Sequence, residues 1–529
     1  MNWPHWLIVP VVLPLLVGAT LLLVERSRPA LAARLSLVAT AAQLLVAISL
    51  AAQAADGTVR AYLLGNWRAP FGIALALDRL SALLLVLTGV IALAAVAYAV
   101  AGDAKSRIDR LGPHFHALFQ FQLMGLSGAF LTADLFNLFV FFEVLLIASY
   151  GLLLHGGGVA RLRAAIHYVS FNLVGSALFL IAVAALYGIT GTLNMADLAQ
   201  RVAQLSPESV SLARSAGLLL LVVFCVKAAL LPLYFWLPAT YGAATAPVAA
   251  LFAIMTKVGV YAVARMYTLV FGADSGPLAN LAAPWLPVLG LGTIALASAG
   301  ALAARTLRSM VGYLVIASAG TLLLALGLGS RETTAAALFY LVNSTLVVAV
   351  LYLLAERIGA QRGAHGDALA PGPFGDERPI LGAAYFAAAI AVCGLPPLAG
   401  FLGKALLLAA ALDTAYAAWV WSIVLASGLA IIIGLVRAGS RIFWKPFEPA
   451  APTTAVATSS VQAMALGWLC GALLLTTAAA GPLARYTGAA AQQLFERRAY
   501  IDAVLGATPV PAALPIRQLI GGKPGEGKL

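Results

Sequence analysis

Apolar stretches long enough to cross a lipid bilayer follow one another along almost the whole of this chain, with short polar breaks between them. In hydrocarbon every backbone N–H and C=O must find its partner inside the protein, which restricts such a chain to bundled helices or a closed barrel. Runs of about 20 apolar residues without strict alternation specify helices. The segments fall at approximately 5–24, 31–54, 79–101, 114–133, 134–154, 164–190, 212–237, 244–270, 283–304, 309–328, 333–356, 380–411, 416–440 and 461–482. The expectation is an all-α polytopic membrane protein of about fourteen transmembrane helices. Segments four and five run together, and Asp134 is the natural place to divide them.

The 529 residues are 62% hydrophobic and only 10% charged, against about 25% charged in soluble domains. A net charge of +12 does not point to nucleic acid, because the basic residues sit in short connections and form no basic-aromatic face. Cys225, Cys393 and Cys470 lie in apolar segments without paired spacing. They read as small core residues rather than disulfides or metal ligands. No metal cluster, Ser/His/Asp set or phosphate loop stands out, so neither an enzyme nor a cofactor is expected.

Lysine and arginine alternate between the connections. The first, third, fifth, ninth, eleventh and thirteenth carry Arg26/Arg28/Arg34, Lys105/Arg107/Arg110, Arg161/Arg163, Arg305/Arg308, Arg357/Arg362/Arg378 and Arg437/Arg441/Lys445. The even connections carry fewer, so the odd ones are expected on the cytoplasmic side and the N-terminus on the other. The first apolar run has its arginines after it rather than before it, which fits a retained helix and not a cleavable signal. The Pro- and Gly-rich end from Pro509 to Leu529 is expected to be flexible.

Charges inside the apolar runs carry the functional signal. Lys227 and Lys257 each lie about a dozen residues into a segment, near the bilayer midplane. A lysine there costs about 2.5–3.5 kcal/mol on insertion scales. Glu143 sits equally deep in ADLFNLFVFFEVLLIASYGLL; a bare carboxylate at that depth needs a cation or a proton, and Lys227 is the expected partner. Pro232 and Pro238 follow Lys227 and should break or kink segment seven. Segment twelve is interrupted by Gly394, Pro396, Pro397 and Gly400, with Lys404 about two turns beyond. Two proline-broken segments, each with a lysine and five segments apart, suggest an inverted repeat: segments four to eight against nine to thirteen. The division expected is residues 1–110, 111–270, 280–445 and 446–529.

His167, Asn343 and Ser344 offer proton access or relay. Each also has a plainer reading: a capped surface histidine, and simple helix–helix hydrogen bonders. Glu143 with Lys227 also reads as a structural buried pair, and Asp134 as an interface residue.

FNLFVFFEVLLIASYGLL, VKAALLPLYFWLPATYGAATAPVAALFAIMTKVGVYA and GLPPLAGFLGKALLL resemble the proton-translocating antiporter-like family. That family includes the large membrane-arm subunits of respiratory complex I and the large subunits of Mrp-type cation/proton antiporters. The resemblance runs from about residue 70 to 445. YGITGTLNMADLAQR, FFEVLLIASYGLL and the overall length are most similar to the D-type branch of the Mrp large subunits. The resemblance implies that Glu143 pairs with and tunes Lys227, that Lys257 carries the proton onward and that Lys404 is the far terminal group. It further implies companion subunits: a larger homologous one and several small membrane subunits. The chain departs from the family pattern at Asn343, Ser344 and Val348, where many members have histidine and often lysine, so a link from Lys257 to Lys404 would run through water. Tyr234 also stands where a histidine often follows the proline.

The leading function expected is the proton-translocating subunit of a multisubunit Na⁺(K⁺)/H⁺ antiporter in a bacterial inner membrane, in contact with lipid. The alternative is the proton-pumping subunit of a complex I-like or hydrogenase redox complex; no flavin, quinone or iron–sulfur signature appears in this chain, so the redox chemistry would lie elsewhere. A non-transporting scaffold is the third reading, and the intramembrane charges argue against it. No acidic cage for Na⁺ is visible, which assigns the cation to a neighbouring subunit.

Overall fold

The computed structural model describes residues 5–101, 112–445 and 458–510. Lys105, Arg107 and Arg110 of the third connection, the boundaries drawn at 110 and 446, and the tail beyond Val510 lie outside the described residues.

The bundle begins with α1 (Val9–Val24), α2 (Pro29–Ala54) and α3 (Arg79–Ala99). It continues through α4 (Phe115–Leu131), α5 (Leu135–Leu154), α6 (Val159–Thr190), α7 (Met195–Val202) and α8 (Pro207–Ala228). Then follow α9 (Trp236–Ala243), α10 (Ala246–Phe252) and α11 (Met255–Leu269). The second half holds α12 (Leu286–Ala303), α13 (Leu307–Gly327), α14 (Arg331–Gln361), α15 (Arg378–Cys393), α16 (Ala399–Ala410) and α17 (Ala417–Gly439). It closes with α18 (Ser460–Ala478), α19 (Ala480–Phe495) and α20 (Arg497–Leu505).

Among the described residues twelve helices are long and apolar enough to cross a membrane, rather than the fourteen expected. The two others differ for identifiable reasons. Segment four folds as α4, 17 residues long, with His116, Gln120 and Gln122 buried in it. Its polar face bonds neighbouring helices: Gln120 Nε2 donates to Thr40 Oγ1 at 3.0 Å, and the Glu25 carboxylate accepts from the His116 and Ala117 amides at 3.0 and 3.1 Å. Segment twelve is split into α15 and α16. Asp134 does divide segments four and five; it caps α5 by accepting from Asn137 N at 2.8 Å.

The fold is not wholly helical. Arg60–Leu63 (β1) and Ala74–Leu77 (β2) form an antiparallel hairpin in the second connection, with Arg60 opposite Leu77. All four residues of β2 are buried, so the hairpin is held by packing onto the bundle. Beyond segment fourteen, α19 and α20 also pack onto it: α19 against α14 and α3, α20 against α7 and β1.

Both expected breaks are present. α8 ends at Ala228, Ala229 takes a left-handed conformation (φ +59°), and Pro232 lies in the non-helical link. Pro238 is not in the break: it is the third residue of α9, where a missing backbone N–H costs little because the first turn lacks acceptors anyway. The second break runs from Gly394 (φ +73°) through Pro396 and Pro397 to α16. The freed amides find side-chain partners, as they must inside a membrane. Leu231 N donates to Thr293 Oγ1 at 2.9 Å and Ala399 N to Thr477 Oγ1 at 3.0 Å.

α10 with α11, and α14, are buried throughout their most apolar eighteen residues; the remaining spans surround them. The packing pairs correspond between halves. α4 lies on α5 as α12 lies on α13, and α6 lies on α8 as α14 lies on α15. At Gly259 an added Cβ would come within 2.6 Å of Ala228 N, so the glycine lets α11 lie directly against the end of α8. That contact brings the Lys227 and Lys257 regions together.

Candidate proton-transfer site

Lys227 is the next-to-last residue of α8 and 5% exposed. Its Nζ donates to Asn172 O, Asn172 Oδ1 and Ser176 Oγ, each at 3.4 Å, and lies 5.9 Å from the Phe142 ring centroid. Glu143 on α5 is half-buried and accepts a hydrogen bond from the same Ser176 hydroxyl. No direct ion pair joins Glu143 to Lys227 among the described residues. The two groups meet through Ser176 rather than by direct contact. A hydroxyl both donates and accepts, so Ser176 couples the carboxylate to the amine through one oxygen. Asn172 and Ser176 lie four residues apart, on one face of α6.

Lys257 follows an irregular turn between α10 and α11, in which Ala253 N and Ile254 N bond the carbonyls of Ala250 and Leu251, three residues back. It is fully buried. Its Nζ donates to Ser318 Oγ on α13 at 2.9 Å and to Thr256 Oγ1 at 3.4 Å. The Ser318 hydroxyl donates onward to Val315 O at 2.8 Å, which leaves its lone pairs to the lysine.

Lys404 on α16 reaches back across the break. Its Nζ donates to Cys393 O at 2.7 Å and Val392 O at 3.4 Å. These are last-turn carbonyls of α15, which lack amide partners and carry the negative end of the helix dipole. Asn343 on α14 serves the same cluster, its Nδ2 donating to Ala391 O at 3.4 Å, while its buried Oδ1 has no partner among the described residues. Ser344 bonds only within its own helix, to Leu341 O at 3.2 Å. Tyr340, one turn before Asn343 and Ser344, lies against Thr321, itself one turn from Ser318.

His167 is exposed and bonded to Arg163 O of its own helix at 2.9 Å; among the described residues no hydrogen bond or ion pair joins it to the buried groups. Sequence reasoning missed Asn172, Ser176 and Ser318. The signal for them was weak: small polar residues one turn apart in an apolar helix. It also missed an ion pair between Arg265 and Asp78, 2.6 Å apart with side chains 4% and 2% exposed. Outside the spans, burial pushes the Asp134 carboxyl up to about 6, against the pull of the Asn137 and Phe136 amides. Among the described residues no group of three or more His, Cys, Asp and Glu side chains is placed to hold a metal ion.

Broken helices in a membrane bundle, with ionisable groups buried beside the breaks, define the class of ion-translocating membrane subunits. Comparison makes this particular. Residues 132–432 match the family described as NADH:quinone oxidoreductase/Mrp antiporter, TM, and the chain belongs to that family. It is 43% identical to a probable K⁺/H⁺ antiporter D-type subunit of Rhizobium meliloti, over 95% of this chain and 98% of that one. It is 36% identical to the Na⁺/H⁺ antiporter D-type subunit of Alkalihalophilus pseudofirmus, over 94% and 99%. Among solved structures it resembles a chain of the Mrp complex from Dietzia sp. (27% identity, TM-score 0.83, 96% of this chain and 100% of that one). A chain of respiratory complex I from Thermus thermophilus is more distant in shape (25% identity, TM-score 0.74, 95% and 100%). The relatives are named as antiporter subunits, that is, as transporters rather than enzymes.

Proposed function

We propose that this chain is the proton-translocating subunit of a multisubunit Na⁺(K⁺)/H⁺ antiporter serving pH and cation homeostasis. The observation that carries the reading is the row of three amines inside the bundle, two buried and one partly exposed, each seated on its own acceptors. Lys227 sits on Asn172 and Ser176, Lys257 on Ser318, and Lys404 on the end of α15. Lysine is a side chain whose proton affinity burial and neighbours tune readily. Glu143, acting through Ser176, biases Lys227; Lys257 receives the proton and passes it toward Lys404. Between those two lysines the path runs past Ser318, Thr321, Tyr340 and Asn343 with water between them. Ser344 and His167 take no part.

The repeat division into 111–270 and 280–445, flanked by 1–110 and 446–529, is supported by the matching helix pairs of the two halves. The partners are a larger homologous subunit and several small membrane subunits. The setting is a bacterial inner membrane with the N-terminus on the extracytoplasmic side. The names of the relatives divide between K⁺ and Na⁺, and the cation crosses through a neighbour.

The test is the whole gene cluster expressed in cells lacking their own antiporters. Everted vesicles are energised, and the pH gradient is followed on adding Na⁺ or K⁺, with and without Lys227→Ala. Cation-dependent collapse that an assembled variant loses supports the reading. Collapse that survives the substitution moves the pathway to a partner. No response in the unmutated complex favours the redox-pump alternative.

A further inference from the structure

Three buried hydroxyls lie at the end of the bundle where the arginine-bearing connections meet, and none has a partner among the described residues: Tyr241, Thr245 and Tyr352. Tyr241 and Tyr352 are fully buried and Thr245 is 8% exposed. They come from three parts of the fold: the end of α9, the cap of α10 and the last third of α14. The Tyr241 and Tyr352 ring centroids are 6.4 Å apart. Buried polar groups are nearly always bonded, and where protein offers no partner, ordered water does.

The cluster has an outer and an inner neighbour. One turn beyond Tyr352 on α14, Glu356 is partly exposed; its carboxylate accepts from Ala246 N at 3.2 Å and lies 3.7 Å from Arg308. Arg161 holds the same junction by donating to Ala243 O at 2.8 Å. On the inner side Tyr168 and Tyr241 both pack against Trp236, at 5.1 and 6.1 Å between centroids, and the Tyr168 hydroxyl is bonded to Ser149 Oγ at 2.7 Å. Tyr168 lies one turn from Asn172, whose Nδ2 bonds the Tyr168 carbonyl at 2.9 Å and whose oxygens hold Lys227.

We propose that Tyr352, Tyr241 and Thr245 hold a file of water between Glu356 and Tyr168, and that this file is the proton inlet to Lys227. It rests on the proton-translocating reading above. Each oxygen in the file accepts a proton from its outer neighbour as it hands its own inward. Asn172 hands on no proton itself; it holds the last water of the file beside Lys227, that water's proton arrives on the neutral Lys227 amine as the ammonium, and every hydroxyl and water is left with as many protons as it had. No co-reactant is needed. Exposed His167, which the sequence offered for access, lies outside this file.

The test replaces hydroxyls and keeps rings: Tyr241→Phe, Tyr352→Phe and the pair together, in the assembled complex. The inlet requires cation-driven proton exchange to fall roughly tenfold or more in the pair. Wild-type rates in an assembled double variant overturn it, because a purely packing role survives the loss of an OH. The second measurement is hydroxyl-radical footprinting of the unmutated complex. Tyr385 is the dry control, since it is fully buried and its hydroxyl is bonded to Leu435 O at 2.8 Å. Labelling of Tyr241 and Tyr352 with Tyr385 untouched supports the file, and equal protection of all three removes it. If the unmutated complex exchanges no cation for protons, the antiport reading falls while the footprint still decides whether the water is there.

Discussion

Ser176→Ala deletes one oxygen and with it both halves of the link between Glu143 and Lys227. The hydroxyl donates to the carboxylate and accepts from the amine at 3.4 Å. Hydrogen bonds to charged groups contribute about 1.5–3 kcal/mol each. The lysine contact is long, so most of the effect comes from the carboxylate side, and a loss of roughly 1.5–3 kcal/mol is the working figure. If that coupling operates during proton transfer, the rate falls by about 10- to 100-fold, at 1.4 kcal/mol per factor of ten. Folding should suffer far less. Glu143 is only half-buried and can turn to water, and Lys227 keeps both Asn172 acceptors. The assay is the initial rate of cation-driven gradient collapse in everted vesicles, normalised to assembled complex. Ser176→Thr, which keeps the hydroxyl, is the companion and is expected within about threefold of wild type. An assembled Ser176→Ala complex running at the wild-type rate would refute the coupling. A threonine variant as slow as the alanine would assign the defect to packing instead.

Gly394→Ala forces a side chain into a left-handed residue (φ +73°), with the new Cβ 2.6 Å from Lys404 Cδ and 3.1 Å from Gly400 O. Left-handed strain and overpacking together destabilise by about 2–5 kcal/mol, so a marked drop in thermal stability with loss of exchange is expected; unchanged values would show that Lys404 need not seat on α15. Asp134→Asn tests a pH-dependent term. A carboxyl raised from 3.8 to about 6 in the folded state binds its proton more tightly there than when unfolded. Stability is therefore full below pH 4 and falls as pH rises toward 6. By the same shift the asparagine variant gains up to about 3 kcal/mol at pH 7–8 and little at pH 4. Melting temperature of the detergent-solubilised complex against pH reads this directly, and a gain confined to low pH would reverse the assignment.

Lysine and glutamate inside apolar runs are conspicuous in a sequence because nothing in lipid can host them alone. That made Glu143, Lys227, Lys257 and Lys404 legible, along with the two breaks. Their acceptors were not. Serine and threonine in membrane helices routinely bond their own helix, as Ser149 does with Leu146 O and Thr345 with Leu341 O, so a residue such as Ser176 or Ser318 carries no mark of a different use. Pro238 looked like part of a break because a proline reads alike in a gap and in a first turn. The hairpin and α19–α20 escaped because they are short or only partly apolar, and packing rather than periodicity sets them. The tyrosine cluster was hidden for a third reason: Tyr168, Tyr241 and Tyr352 are far apart in the chain and meet only through folding.

The two ends of the amine row differ in how freely substitution can alter them. Lys227 rests on an asparagine, a serine and, through the serine, a glutamate; a single codon change in any of them alters its surroundings. Lys404 rests on the carbonyls of Val392 and Cys393, which every possible side chain at those positions would still supply. No exchange of a bonded partner can strip that lysine of its acceptors; only a shift in where α15 stops can. Variation among relatives should thus retune the Lys227 end in small steps, while the Lys404 end stays constant or changes all at once, with the backbone.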